Sequence, residues 1–307
     1  MKKSFLLSVC VALLFMSCSN TKETPSGYKF TVIKKGDGVA SKQGQILVLN
    51  FLFKDGKDSV WNDSRKSVFP TMIMVQDSIP GNDPILEVFQ MLTKGDSVTL
   101  KLPAKTLFEK TFQSHIPPGV DSTSQFTFEI GVIDILSEDQ ARQMQSDIVA
   151  KQNEKAMLAE AEQHAKDTSI IAVHLKEKAI KAQKTSSGIS YVVNKTGKGE
   201  NAKAGQTVRI NYTGYLLDGT CFDSSIESVA RVNNVYNEMR APYEPIEFVL
   251  GAQQVIPGWE EAIGLMNKGA SMTVYIPSTM AYGPRRRSEI IGENSILKFE
   301  MEVVDIK

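Results

Sequence analysis

Four short blocks occur twice, in the same order, along the 307 residues. Leu92-Thr-Lys-Gly-Asp-Ser-Val-Thr-Leu-Lys-Leu-Pro103 parallels Met266-Asn-Lys-Gly-Ala-Ser-Met-Thr-Val-Tyr-Ile-Pro277, with five identities in twelve positions. Phe128-Glu-Ile-Gly-Val-Ile-Asp-Ile135 parallels Phe299-Glu-Met-Glu-Val-Val-Asp-Ile306, with five in eight. Upstream, Lys34-Lys-Gly-Asp-Gly38 parallels Lys195-Thr-Gly-Lys-Gly199, and Gly44-Gln-Ile-Leu-Val-Leu-Asn-Phe51 parallels Gly205-Gln-Thr-Val-Arg-Ile-Asn-Tyr212. Chance is a poor explanation, so whatever fold this chain adopts is expected twice. The length agrees, since ~100–200 residues per domain gives two domains. Each is large enough to bury a core without a metal or disulfide staple.

Each copy reads mainly as β. Residues 46–53, 97–102, 126–135, 207–216, 271–276 and 296–306 are short runs rich in Val, Ile, Thr, Tyr and Phe. Gly, Asp, Pro or Ser punctuates them. One short helix per copy is expected, over Ile85–Leu92 and Trp259–Met266. In the second, Trp259, Ala262, Ile263 and Met266 share a face at i, i+3, i+4, i+7. A sheet with one helix across it is an α+β domain.

Residues 138–182 between the copies contain no Gly or Pro and are dominated by good helix formers. Ser137 is a candidate N-cap, with Gln140 at the capping-box position. The apolar stripe of Ala141, Met144, Ile148, Ala156 and Ala159 is thin, which fits a solvated connecting helix or a weak partner face rather than a core helix. A spacer and a dimer-forming helix both remain open. Asp167 or Thr168 could restart a second helix over Ile170–Ile180.

The N-terminus has its own character. Lys2 and Lys3 precede a mostly apolar run, Phe5–Met16, too short to span a bilayer. It ends in Leu14-Phe15-Met16-Ser17-Cys18, which resembles a bacterial lipobox. That resemblance implies removal of 1–17 and lipid attachment at Cys18, a stable anchor when diacylated. Residues 18–26 then form a polar tether. The full chain balances 35 Lys+Arg against 35 Asp+Glu; without Lys2 and Lys3 the formal charge is 33 against 35, or −2. Neither value pulls the protein toward nucleic acid. Of three cysteines, Cys10 leaves with the leader and Cys221 remains as a lone thiol, expected to be small and buried rather than reactive. With 42% hydrophobic and 23% charged residues, global disorder is excluded. His115, His164 and His174 have no metal-ligand spacing, and the cysteines add none.

The second copy carries Asn211-Tyr-Thr-Gly-Tyr-Leu-Leu-Asp-Gly-Thr-Cys-Phe-Asp-Ser-Ser225, Pro245-Ile-Glu-Phe-Val-Leu-Gly251, Gln254-Val-Ile-Pro-Gly-Trp-Glu-Glu-Ala-Ile263, Ile276-Pro-Ser-Thr-Met-Ala-Tyr-Gly283 and Leu297-Lys-Phe-Glu-Met-Glu-Val-Val304. Any one block would be a weak signal. Five in order over 186–307 resemble the FKBP-type peptidyl-prolyl cis-trans isomerases. The layout of lipobox, altered first copy and helical linker is similar to exported FKBP lipoproteins of Gram-negative bacteria. The implied organisation is two FKBP-like domains, each an antiparallel sheet wrapped on a short helix, at 27–137 and 186–307, joined by a helical linker at 138–185.

The chemistry suits these residue types. The peptide C–N bond resists rotation by ~18–20 kcal/mol because resonance makes it partly double. For X–Pro the two isomers are close in energy, so exchange is slow rather than uphill. No bond breaks, so no cofactor, metal or nucleophile is required. The twisted imide has less charge separation, so an apolar cavity that strips water favours it. The resemblance makes Trp259 the cavity floor and Tyr212, Phe222, Val255, Ile256, Tyr282 and Phe299 its walls. The Ile256 N–H and the Tyr282 hydroxyl match groups that hold substrate carbonyls. Asp223 matches the one acidic pocket residue; it is no general base, because there is no proton to remove. Phe248 reads as core.

Two departures stand out. Ile246 replaces a frequent aromatic wall residue, loosening one edge. Residues 226–244 are longer than the usual connection and either extend the substrate groove or form a packed surface loop. Arg231 and Arg240 are both candidates to partner Asp223. Arg285-Arg286-Arg287 follows in a loop expected to be solvated, and Ile290 and Ile291 are expected at the pocket rim.

In the first copy Phe51 stands for Tyr212, Phe108 for Tyr282, Ile85 for Trp259, and Asp63 is the candidate for Asp223. The hydroxyls and the floor indole are gone while the framework remains. A folded domain of little or no activity follows, one that holds clients, dimerises or spaces the other domain from the membrane. The whole chain thus reads as an envelope prolyl isomerase, lipid-anchored and most simply at the outer membrane facing the periplasm, with surface exposure open. Its partners would be unfolded or proline-containing exported polypeptides. The alternative is a non-catalytic chaperone or scaffold.

Overall fold

The computed structural model describes residues 20–76 and 78–307; the expected leader and Cys18 lie outside the described residues. The chain divides into two compact units on either side of Gln152 and Asn153.

In the first unit seven strands form one antiparallel sheet: β1 (Thr21–Glu23), β2 (Lys29–Lys34), β3 (Ile46–Lys54), β4 (Val60–Asp63), β5 (Thr71–Met74), β6 (Ser97–Pro103) and β7 (Gln125–Leu136). The order is β1-β2-β6-β7-β3-β4, with β5 also on β3. β7 shows why: Phe126, Phe128, Ile130 and Val132 alternate with less buried residues, so one face is apolar. That face packs on α1 (Pro84–Gln90), whose Ile85, Val88 and Phe89 join Leu47, Leu49, Leu100 and Ile130 in one core. Asp83 starts α1 by accepting from the Ile85 and Leu86 amides, and Pro84 suits the first helical position. A single turn, α2 (Ala104–Thr106), follows β6.

The long helix α3 (Glu138–Glu177) runs through the division between the units. Its capping box is formed: Ser137 N–H donates to Gln140 Oε1 at 2.8 Å and Gln140 N–H to Ser137 Oγ at 3.2 Å. Ala141 packs with Val48 and Leu136 in the first unit, whereas Ile171 and Leu175 pack with Tyr275 and Ile296 in the second. Residues 149–162 are exposed throughout, as the thin stripe required. The restart expected at Asp167 or Thr168 does not occur. Asp167 lies mid-helix, and its carboxylate is engaged by another segment instead of capping a new one.

The second unit contains β8 (Gln183–Lys184), β9 (Ser190–Lys195), β10 (Lys198–Asn201), β11 (Thr207–Leu216), β12 (Cys221–Ser224), β13 (Ile246–Val249), β14 (Asn267–Lys268), β15 (Ser271–Ile276) and β16 (Leu297–Ile306). Its main sheet runs β8-β9-β15-β16-β11-β12, with β13 on β11; β10 and β14 form a separate ribbon. This is the strand order of the first unit. Across the sheet lies α5 (Pro257–Gly264), and a further short helix, α4 (Glu227–Val232), follows β12. The face anticipated for α5 is the buried one: Trp259, Ala262, Ile263 and the following Met266 share a core with Ile210, Val274, Phe299 and Met301.

Candidate active site

β11, β12, β16 and the start of α5 bring the aromatic residues of the second unit together. Tyr212 and Trp259 ring centroids lie 4.8 Å apart at 73°, Trp259 and Phe299 5.1 Å at 88°, and Phe222 and Phe299 5.6 Å at 87°. These edge-to-face contacts set the rings as walls rather than a stack. Phe299 faces Gly214 across the β11–β16 pairing. A Cβ on Gly214 would lie 2.5 Å from the Phe222 ring and 2.9 Å from that of Phe299, so only glycine lets both rings close over β11.

The result is a cavity of about 360 Å³ lined by Tyr212, Phe222, Asp223, Ile246, Gln254, Val255, Ile256, Trp259, Tyr282, Arg287 and Phe299. All eight residues expected to be catalytic line it, as does Ile246. Ile290 and Ile291 do not. The Ile291 carbonyl accepts from the Arg287 and Ser288 amides and its N–H donates to Ser288 Oγ, a tight turn that leaves Ile291 6% exposed and Ile290 41%. Phe248 is buried in the core.

Tyr212 and Asp223 form a polar cluster in this wall. Tyr212 OH donates to Asp223 Oδ2 at 2.5 Å. Arg240 Nη1 donates to Asp223 Oδ1 at 2.5 Å, and Nη2 to the Tyr212 oxygen at 2.9 Å. The pairing left open between Arg231 and Arg240 therefore falls to Arg240. Arg231 instead bonds Glu227 and lies 3.5 Å over the Tyr236 ring. Burial, then the bond to Asp223, pushes the Tyr212 hydroxyl far above the usual phenol range, so it stays a proton donor. Burial works against the Arg240 charge, but Tyr212 and Asp223 more than offset it and raise the guanidinium pKa. The long segment 226–244 thus folds as α4 and a 3-10 turn, Glu238–Arg240, that brings Arg240 to Asp223 and Tyr212.

Gln254 and Arg287 were not singled out individually from sequence. Gln254 Oε1 accepts from Val249 N–H at 2.9 Å, tying β13 to the segment before α5. Arg287 lies 5.6 Å over the Tyr282 ring. Position beside Val255 and within the three-arginine loop was the available signal for each. Trp259 Nε1 is buried with no hydrogen-bond partner among the described residues.

The sequence pattern defining the FKBP-type peptidyl-prolyl cis-trans isomerases matches residues 198–304, within the second unit. FK506-binding protein 2 of Candida glabrata is 42% identical over 106 residues, 34% of this chain and 68% of that protein. Outer membrane protein MIP of Legionella longbeachae is 31% identical over 177 residues, 56% of this chain and 68% of that protein. The chain belongs to the FKBP-type peptidyl-prolyl cis-trans isomerase family. A probable FKBP-type isomerase FkpA of Neisseria meningitidis is 33% identical over 177 residues, 56% of this chain; the match spans 58% of that protein's length.

Strand register relates the first unit to the FKBP cavity position by position. Phe53 pairs with Phe128 as Gly214 pairs with Phe299. Ser64 Oγ accepts from Phe51 N–H as Ser225 Oγ accepts from Tyr212 N–H, both at 2.8 Å. Asn62, opposite Phe53, therefore holds the place of Asp223, which lies opposite Gly214. This corrects the expectation for Asp63: it takes the place of Ser224 and pairs with Arg65 at 2.7 Å. Phe53 stacks on Phe128 at 4.5 Å and 18° and packs against Trp61, Phe112 and Phe126. Phe108, at the Tyr282 position, turns inward and joins them. An aromatic plug thus stands at the position where, in the FKBP unit, Gly214 makes room for the Phe222 and Phe299 rings of the cavity wall.

Proposed function

We propose that this protein accelerates cis–trans exchange of X–Pro bonds in unfolded or extended polypeptides, using the cavity of the FKBP unit. The observation that carries the proposal is the Tyr212–Asp223 pair in a largely aromatic and aliphatic wall that also holds Gln254 and Arg287, with Arg240 locking the pair from behind. The proline ring would sit on Trp259, between Tyr212, Phe222, Val255 and Phe299. Loss of water there disfavours the charge-separated planar imide and favours the twisted one. The Ile256 N–H and the Tyr282 hydroxyl would hold the flanking carbonyls, so that rotation is confined to one bond. Asp223, its charge balanced by Arg240, would fix Tyr212 and face the turning carbonyl. Each tenfold acceleration requires only ~1.4 kcal/mol of such preference.

The same proposal takes 1–17 as a leader, Cys18 as a lipid-bearing residue and 18–26 as a tether, so that the protein works in the cell envelope on exported chains, at the outer membrane facing the periplasm. It takes 27–137 as a second FKBP-like domain that has lost catalysis. A holding role for that domain is favoured by Trp61 and Phe112, which flank Phe53 and are 42% and 43% exposed. Homodimerisation through the exposed middle of α3 is the remaining element.

Magnetisation-exchange measurements on a short X–Pro peptide with the full chain test the catalytic reading. Acceleration supports it; binding without acceleration would favour the holder. Refolding of a substrate with no slow proline step isolates the holding role.

A further inference from the structure

The FKBP unit uses a part of α3 that its cavity never touches. Asp167 is 1% exposed, and its Oδ2 accepts from both the Ser278 N–H at 2.7 Å and the Ser278 Oγ at 2.5 Å. Ser278 is 0% exposed and is the hub of the next turn. Its carbonyl accepts from Ala281 N–H at 2.9 Å and from Gly283 N–H at 2.8 Å, the two residues flanking Tyr282. One turn before Asp167, His164 Nδ1 lies 2.8 Å from Thr279 Oγ1. The helix is pressed close here, for a Cβ on Gly188 would meet His164 and Thr168 atoms at 2.7 Å.

We infer that Asp167 is a positioning residue for the isomerase, fixing the Ser278–Gly283 turn and through it the place of Tyr282 in the cavity wall. This rests on the isomerase proposal above. A buried carboxylate holds its donors tightly, because any slack leaves charge and donors unsatisfied in low dielectric. Asp167 has a third donor, Gln163 Nε2 at 2.7 Å from Oδ1, so both oxygens are occupied. The end of α3 is therefore part of the catalytic unit.

The test uses the full chain and a short X–Pro peptide. Asp167→Ala should lower kcat/KM about tenfold, the loss expected when a charge-assisted anchor goes. Asp167→Asn keeps an oxygen for Ser278 and offers an N–H to Gln163 once that side-chain amide turns to present Oε1, and should restore the rate to within about twofold. In a Tyr282→Phe background, Asp167→Ala should add less than about twofold, since both act through one group. Hydrogen exchange of the Ser278 amide should quicken in Asp167→Ala, a readout independent of turnover. Full additivity with Tyr282→Phe, or a folded Asp167→Ala protein with wild-type kcat/KM, overturns the inference. If Asp167→Ala does not fold, Ser278→Ala removes one of the two bonds and should give a smaller fall with the same non-additivity. An inactive wild-type protein would instead defeat the isomerase proposal, while Ser278 exchange would still report on the anchor.

Discussion

Arg240 sets its Nη1 2.5 Å from Asp223 Oδ1, across a chain separation of 17 residues that includes α4 and a 3-10 turn. The second guanidinium nitrogen reaches Tyr212, so one planar fork fixes the carboxylate and the phenol together. Arg240→Ala should lower kcat/KM by about tenfold, within the range for losing a hydrogen bond to a charged group. Arg240→Lys should recover only part, because an ammonium cannot hold both partners in one plane. Peptide exchange rates for the two variants check this, with circular dichroism to show that both are folded.

Gly214 and Phe53 occupy one register position in the two sheets, and the difference between open cavity and plug follows from them. Gly214→Ala should displace the Phe222 or Phe299 ring, cost about 1–3 kcal/mol of stability and reduce activity. Phe53→Ala should cost the first unit about 3–5 kcal/mol and create no activity, since Phe51 and Asn62 remain in place of Tyr212 and Asp223. Denaturant melts and the exchange assay on each full-length variant measure both effects.

Acid should attack the first unit through Asp96. Burial raises this carboxyl's pKa, but the Thr93 and Gly36 amides and the Thr93 hydroxyl outweigh it and hold it below the usual carboxylate range. A folded-state pKa below the unfolded one gives stability that is complete above about pH 4 and is lost as pH falls through the folded value. Asp96→Asn should be less stable at neutral pH and show a weaker acid dependence below about pH 4. Melts monitored by far-ultraviolet circular dichroism across that window decide it.

The Cys221 thiol is 7% exposed, and burial pushes its pKa up. Thiolate is the reactive form, so Cys221 should react with a thiol reagent at pH 8 far more slowly than free cysteine, and at an ordinary rate in denaturant. A fast reaction in the folded protein would mean that β12 opens.

Strong patterns were legible in the sequence. The helix carrying Trp259 and the long strands β3, β7, β11 and β16 each concentrate apolar residues at one period, and their ends lie within two residues of expectation, those of β11 on it. Edge strands β4, β5, β12 and β13, four residues each, carry too few residues to show a period. The cavity walls were legible because short blocks preserve them. The choice of Arg240 over Arg231 was not, because the contact depends on how 226–244 folds back. Asp167 reads in sequence as a candidate start of a second helix; only the approach of Ser278 from 111 residues away gives it its role. Asp63 lies one residue from the Asp223 position because the shared serine bond that sets the register leaves no pattern in the sequence.

The most direct test is the cis–trans exchange rate of an X–Pro peptide with the full chain, wild type against the Asp223→Ala/Trp259→Ala double variant. The wild type should accelerate exchange strongly, and the double variant, still folded in its first unit, should return it to within a few per cent of the uncatalysed rate. A double variant that keeps most of the wild-type acceleration would contradict the assignment of catalysis to this cavity.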